Sequence, residues 1–340
     1  MISTPSPAVW FPTIRAGTGA DVFTVRLAES LKKRGVQTEI SWLPHRAEYV
    51  PFSVAVPKAP DWASIVHVNT WLHNRFVPAH LPLVVTVHHC VHDPAFAKYR
   101  TRLQAIYHQG WIKPIERLAL KSADAITAVS QYTADRTKEV FGVEGTQVIY
   151  NGVDPEEYEE VPNRTMHTPF RLLYVGSWSL RKGVDLLGPI MRELGPEFEL
   201  WYTSDASGAL GKVGLPSNCR SIGRPSKESL LDTYQSCDAL LLPTRLEGFG
   251  QVAIEAMACG LPVIATRGSA LPEVVEEGVT GMLCNQDDPI AFAIAARYLK
   301  QESLRWSDIS RAAGRTARRD FSIDQMVQGY MEVYSNLLNR

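Results

Sequence analysis

The chain has 340 residues, 45% of them hydrophobic, and a formal net charge of −1. That length exceeds one ordinary core and predicts two domains, and the near-zero charge gives no footing for a nucleic-acid partner. No stretch is apolar for long enough to span a bilayer. The opening Met1-Ile-Ser-Thr-Pro-Ser-Pro7 lacks a basic segment followed by an apolar one, so no signal peptide is expected. The scattered cysteines 90, 219, 237, 259 and 284 predict reduced thiols in a cytoplasmic protein rather than disulfides or a zinc site. Residues 1–150 carry 16 Lys+Arg against 11 Asp+Glu and the remainder 19 against 25. A basic first half suits an anionic partner such as a membrane surface, and ordinary scatter accounts for it equally well.

Ala8-Val-Trp-Phe11 is a strand candidate, followed by the glycine loop of Gly17 and Gly19 and an amphipathic helix to Arg34. Strand, glycine loop and helix open a Rossmann-like unit. Val22 occupies the third position of a dinucleotide fingerprint, so Gly17 and Gly19 are either a ligand approach or a plain tight turn. Strands are predicted at Val36–Trp42, Ser64–Val68 and Leu83–Val87, and the last two end in polar residues. His67, Asn69, His73, His88 and His89 therefore crowd one rim, at the strand ends where doubly wound folds bind ligands. Three histidines could hold zinc, but no acidic or Cys ligand is placed beside them. Ala97–Ser122 is helical in character, with Pro114 starting a second helix or kinking the first; it is basic through Lys98, Arg100, Arg102, Lys113, Arg117 and Lys121 and interleaved with Tyr99, Tyr107 and Trp111. It is either a peripheral contact with anionic lipid or a solvated face. A strand at Ala125–Ser130, a Ser130-capped helix and Val148–Tyr150 close the first half.

Residues 155–168 are acidic and have a linker's composition. A second alternation follows: strands at Arg171–Gly176, Phe198–Tyr202, Ala239–Leu242 and Val263–Ala265, with helices at Val184–Leu194, Ser226–Ser236 and about Gly250–Cys259. The tail is helical, and Ile323–Leu338 carries one apolar stripe. The expected fold is α/β, with two Rossmann-like domains, 1–160 and 161–320, a cleft between them, and a C-terminal helix at 321–340.

Two constellations carry chemistry. Arg181 and Lys182 stand in the turn after Gly176, immediately before a helix, where backbone N–H groups and the helix dipole favour an anion. An arginine fork and a lysine point charge suit a diphosphate. Glu247 and Glu255 flank Gly248-Phe249-Gly250-Gln251. The helix carrying Glu255 is apolar nearly all round, so this carboxylate is predicted to be buried and to need a partner. Both acids could accept hydrogen bonds from vicinal sugar hydroxyls, and the glycines let backbone amides approach. A glycoside-hydrolase pair would need carboxylates facing a scissile bond, which suits a buried helix less well.

Glu247-x7-Glu255 within E-G-F-G-x-x-x-x-E-A-M-A-C-G-x-P-V-I-A-T, with Gly176 and Arg181-Lys182-Gly183 upstream, resembles the retaining GT-B glycosyltransferases of family 4. The likeness covers the second domain well and the first loosely, through the glycine loop, Thr86-Val-His88 and Asn151-Gly-Val-Asp154. It implies a GT-B hexosyltransferase using a nucleoside diphosphate sugar, with no cofactor and no metal, whose last helix, 321–340, crosses back onto the first domain. Arg181 and Lys182 would hold the diphosphate, and Glu247 the donor sugar, helped by the amides after Phe249. Glu255 would bind the ribose, the backbone at Gly223-Arg224 would face the base, and His88 would reach the reacting carbon. The acceptor would be a glycan or a lipid-linked glycan in bacterial envelope polysaccharide or lipopolysaccharide synthesis, made in the cytoplasm or on the inner membrane. The chain departs from the family at Ser177, where arginine is frequent, at His89, at Tyr202-Thr-Ser-Asp205 and at Ser269-Ala270. A GT-B sugar-nucleotide epimerase and a non-catalytic glycan- or nucleotide-binding protein are the rival readings.

Overall fold

The computed structural model describes residues 6–158, 164–204 and 214–339. The chain divides into two compact units, Met1–Asn151 with Ile323–Arg340, and Gly152–Ser322. The sequence reading sets this boundary later, at residue 160. Residues 159–163 of its linker, and Asp205, lie outside the described residues.

The first unit holds β1 (Ala8–Ile14), β2 (Gln37–Leu43), β3 (Ile65–Asn69), β4 (Leu83–Val87), β5 (Ala125–Ala128) and β6 (Gln147–Val148). They run parallel in the order β2-β1-β3-β4-β5-β6. β4 is buried throughout, the continuous apolar run of a parallel strand covered on both faces. The helix Ile323–Leu338 lays Met326, Val327, Tyr330, Val333, Tyr334 and Leu337 against Val9 and Phe11 of β1 and against Phe23, Leu27 and Leu31 of the helix Gly19–Lys33. Full burial of each large side chain contributes about 1.5–3 kcal/mol relative to exposure, so this last helix belongs to the first unit's core.

The second unit holds β7 (Phe170–Tyr174), β8 (Phe198–Thr203), β9 (Cys219–Gly223), β10 (Ala239–Leu242), β11 (Val263–Thr266) and β12 (Gly281–Cys284), parallel in the order β12-β11-β10-β7-β8-β9. β9 and β12 are absent from the sequence reading. Both are sheet edges with one neighbour each, and β9 is half exposed, so neither shows the buried run that marks its neighbours.

Ala97–Ser122 is helical in pieces, and a new helix begins at Lys113-Pro114, as expected. It breaks into a 3-10 segment from Pro94 to Tyr99, helix Arg102–Tyr107, a π-helical turn His108–Ile112 and helix Lys113–Ser122. Pro114 stands in the first turn of the last piece, where its missing N–H leaves no bond unmade.

In open parallel sheets, ligands bind where the strand order reverses, beyond the carboxyl ends of the strands. Here those points lie between β1 and β3 in the first unit and between β7 and β10 in the second.

Candidate active site

The second unit's switch point is stitched from two loops. After β7 the chain makes a 3-10 turn, Leu180–Lys182, and enters the helix Val184–Leu194 through Gly183 at φ +71°. A Cβ on Gly183 would stand 2.0 Å from the carbonyl oxygen of Pro243, the residue after β10, so only glycine lets the turn lie against that strand end. The Arg181 carbonyl accepts the Arg245 N–H at 2.8 Å and the Thr244 hydroxyl at 3.2 Å. The Arg181 guanidinium donates to the Leu246 carbonyl at 2.9 Å. The Lys182 ammonium bonds the Glu247 carboxylate. Side chains assigned from sequence to neighbouring parts of one donor, the diphosphate and the sugar, thus bond each other. An ammonium has three N–H donors and a carboxylate about four acceptor positions, so each retains capacity for a ligand.

Burial is the largest influence on both. It pushes the Lys182 ammonium down, with Glu247 partly offsetting that. It would raise the Glu247 carboxyl, but the charges of Lys182 and Arg181 outweigh it and hold Glu247 below the usual carboxylate range. Arg181 and Lys182 flank Glu247 at a helix start, where a pair of cations can meet an anion.

Arg245, given no role by the sequence reading, fixes the assembly. Its guanidinium is bidentate to Asp185 at 2.7 and 2.8 Å and donates to Asp287 and to the Leu180 carbonyl, each at 2.5 Å. Asp185 lies in the first turn after Lys182, so Arg245 ties the cationic turn to the loop bearing Glu247. The available signal was a charge two residues before Glu247 in an otherwise apolar stretch.

Gly248 and Phe249 are buried, and the Phe249 ring meets Phe321 edge-on at 5.7 Å. Gly250 caps the helix Gln251–Ala258 at φ +107°. Glu255 is buried on that helix, as expected. Its partners include protein donors: Gln251 Nε2 at 3.1 Å and the Tyr234 hydroxyl at 3.3 Å. Burial, then Glu255, pushes the Tyr234 phenol well above its ordinary range, so it stays protonated and donates. The burial of Glu255 therefore does not by itself require a ligand. Gly176 donates its N–H to the Thr203 hydroxyl at 3.0 Å. Gly223, at φ +66°, ends β9, and the exposed Arg224 follows it.

The first unit divides the expected polar rim. His88 Nε2 meets the Asn69 side-chain oxygen at 2.7 Å, and its ring lies edge-on to Phe23 at 4.7 Å. Burial pushes His88 down to about 4, so it is neutral near pH 7. His67 leaves the rim: Nδ1 meets the Tyr334 hydroxyl and Nε2 the Thr86 hydroxyl, both at 2.7 Å in the core. Burial, reinforced by His88, drives it to about 3. His73 caps the turn Asn74–Phe76 through Nδ1. His89 packs beside Trp71. At the glycine loop, the Ala16 and Gly17 N–H groups donate to Asp21 at 2.9 and 2.7 Å, so those amides serve the turn itself.

Two family models match this chain: Glycosyltransferase Family 4 over residues 41–157 and Glycosyl transferases group 1 over residues 169–302. The chain is a glycosyltransferase of this family. An uncharacterized glycosyltransferase of Methanocaldococcus jannaschii is 29% identical to this chain over 230 residues, 65% of this chain and 62% of that protein. The chain thus aligns with under two thirds of that relative's length. Sucrose-phosphate synthase of Thermosynechococcus elongatus shares the architecture with a TM-score of 0.84 at 18% identity, covering 98% of this chain and 99% of that one. HepE of Anabaena, crystallised with UDP and glucose, gives 0.73 at 19% identity, covering 97% and 100%. At such identities these two likenesses are of fold, and the fold is GT-B.

Proposed function

We propose that this glycosyltransferase moves a hexose from a nucleoside diphosphate sugar to a glycan or lipid-linked acceptor and retains the anomeric configuration. The observation that carries this reading is the cation pair Arg181–Lys182 beside Glu247 at the switch point of the second sheet. The bond from the anomeric carbon to the diphosphate oxygen breaks while the acceptor oxygen bonds on the same face. The acceptor proton passes to the leaving phosphate oxygen. Arg181 and Lys182 stabilise the charge that develops there, the part a divalent metal plays elsewhere. Glu247 holds donor-sugar hydroxyls, Glu255 the ribose, and neutral His88 serves the transfer step. HepE's crystallisation with UDP and glucose makes UDP-glucose the first donor to test. We assign the acceptor to envelope polysaccharide or lipopolysaccharide assembly, at the cytoplasmic face of the membrane.

Incubation with UDP-, GDP-, ADP- and dTDP-sugars, with and without polyprenyl-linked or free glycans, tests the reading. The expected result is release of nucleoside diphosphate that an acceptor accelerates and EDTA leaves unchanged. Conversion of the donor without any acceptor would favour an epimerase, and no turnover of any donor would favour a binding protein. His88→Ala should leave nucleotide affinity alone and lower kcat roughly 10–100-fold. Glu255→Gln should weaken binding of the free nucleoside diphosphate by about 10–100-fold, the worth of charge-assisted hydrogen bonds. Unchanged affinity by calorimetry would remove Glu255 from the ribose.

A further inference from the structure

We propose that Ser269 and Asp287 are positioning residues that hold the Arg245–Glu247 segment in place for the donor sugar, each from a strained backbone. Among the described residues only these two, glycines aside, have a left-handed φ, +50° at Ser269 and +61° at Asp287. That region is sparsely used by residues with a side chain, because the Cβ crowds the backbone. Such strain persists only where the surroundings impose it, and it gathers at functional sites.

Both strained residues reach the same three-residue segment. Ser269 stands in the loop after β11 and Asp287 in the loop after β12. The Glu247 N–H donates to the Ser269 hydroxyl at 3.1 Å, and the Glu247 carbonyl accepts the Ala270 N–H at 3.4 Å. One turn therefore grips the backbone of Glu247 through both its donor and its acceptor. Asp287 Oδ1 accepts from Arg245 Nε at 2.5 Å. The buried Leu271 lies against the far end of the same loop, where a Cβ on Gly250 would stand 2.9 Å from its Cδ2. Loops from two successive strand ends thus brace residues 245–250, in addition to the cationic turn that bonds Arg245 and Glu247.

Glycine would occupy either position without strain, but it has no side chain to accept these bonds. Aspartate enters the left-handed region more readily than most residues. Serine does not, so Ser269 is the sharper case. Ser269 acts through the backbone of Glu247. Asp287 acts through Arg245, whose guanidinium also holds Asp185 beside the cationic turn. A shift of this segment by about 1 Å would carry the Glu247 carboxylate out of register with the sugar.

The proposal rests on Glu247 holding the donor sugar, and hydrogen exchange at the Glu247 amide keeps the two apart, because it needs no turnover. Ser269→Ala and Ser269→Gly both remove the hydroxyl, but only glycine releases the strain. In the full chain both should exchange the Glu247 amide faster than the parent. Both should lose about five- to tenfold in kcat/KM for UDP-glucose, or for the preferred donor among the GDP-, ADP- and dTDP-sugars, the worth of one hydrogen bond. Affinity for the free nucleoside diphosphate should hold in both, and the glycine variant should melt above the alanine variant. A serine needed only for stability predicts otherwise: activity would follow the melting temperature, and glycine would keep it. Asp287→Asn retains an acceptor oxygen and the left-handed preference and should keep turnover. Asp287→Gly retains only the conformation and should slow turnover by a similar factor. Parental exchange at Glu247 in Ser269→Gly, or turnover kept by that variant, would overturn the proposal. Equal losses in Asp287→Asn and Asp287→Gly would overturn it for Asp287, leaving that residue a counter-charge to Arg245. If the parent turns over none of the four donors, the donor reading fails, and exchange at Glu247 still decides the role of Ser269.

Discussion

Lys182→Ala is expected to lower kcat by at least about a hundredfold, the usual cost of deleting one preorganised group that stabilises developing charge. The same substitution strips Glu247 of its nearest counter-charge. Their side chains are 14% and 11% exposed, and breaking such a pair from one side costs about 3–5 kcal/mol when burial is complete. Activity loss and stability loss must therefore be separated. Glu247→Gln added to Lys182→Ala removes the orphaned charge, so the double variant should recover much of the melting temperature and none of the turnover. pH gives a second separation. In the parent, Glu247 is held low by Lys182 and Arg181, so its contribution to stability is present above the unfolded carboxylate range and is lost on acidification. In Lys182→Ala, burial acts against a single remaining cation and the carboxyl rises. The stability deficit should then be largest near neutral pH and narrow as pH falls towards the carboxylate range. A Lys182→Ala enzyme with near-normal turnover would remove Lys182 from the leaving-group role.

The fold was legible because central parallel strands advertise themselves. β4, β10 and β11 are buried at every position, and only continuous apolar runs bounded by polar turns satisfy that. Edge strands β9 and β12 carry no such mark. The cationic turn and the Glu247–Gln251 loop were legible for a different reason: charges and glycines packed into a few residues between a strand and a helix have few other uses. Long-range pairing was not legible. His67 and His88 look alike on neighbouring strands, yet His67 is claimed by Tyr334, 267 residues away, while His88 is held by Asn69. Arg245 acquires its role from Asp185 and Asp287, 60 and 42 residues distant. Local periodicity contains none of those separations. Nor does it show that Tyr234 meets Glu255, which is why a buried carboxylate seemed to demand a ligand.

Gly183→Ala should combine a large loss of stability with a large loss of activity, and a second glycine isolates the cause. Gly183 has φ +71° and ψ +25°, and Gly142, after the helix Gln131–Phe141, has φ +69° and ψ +26°. A side chain pays the same left-handed cost at both, about 1–2 kcal/mol. Around Gly142 a new Cβ meets nothing within 4 Å, whereas at Gly183 it meets the Pro243 carbonyl oxygen at 2.0 Å. To relieve that overlap, either the cationic turn or the end of β10 must move by about 1 Å, and overpacking of this kind costs about 1–3 kcal/mol more. The bonds that would give way are those from Arg245 N–H and the Thr244 hydroxyl to the Arg181 carbonyl. Lys182 and Glu247 would then lose their register, and a 1 Å misplacement of reacting groups can cost about a hundredfold in rate. Gly142→Ala should lower the denaturation midpoint modestly and leave turnover unchanged. Gly183→Ala should lose roughly twice as much stability and most of its turnover. Equal destabilisation of the two variants, with turnover kept in both, would mean that the cationic turn does not depend on its seat against Pro243.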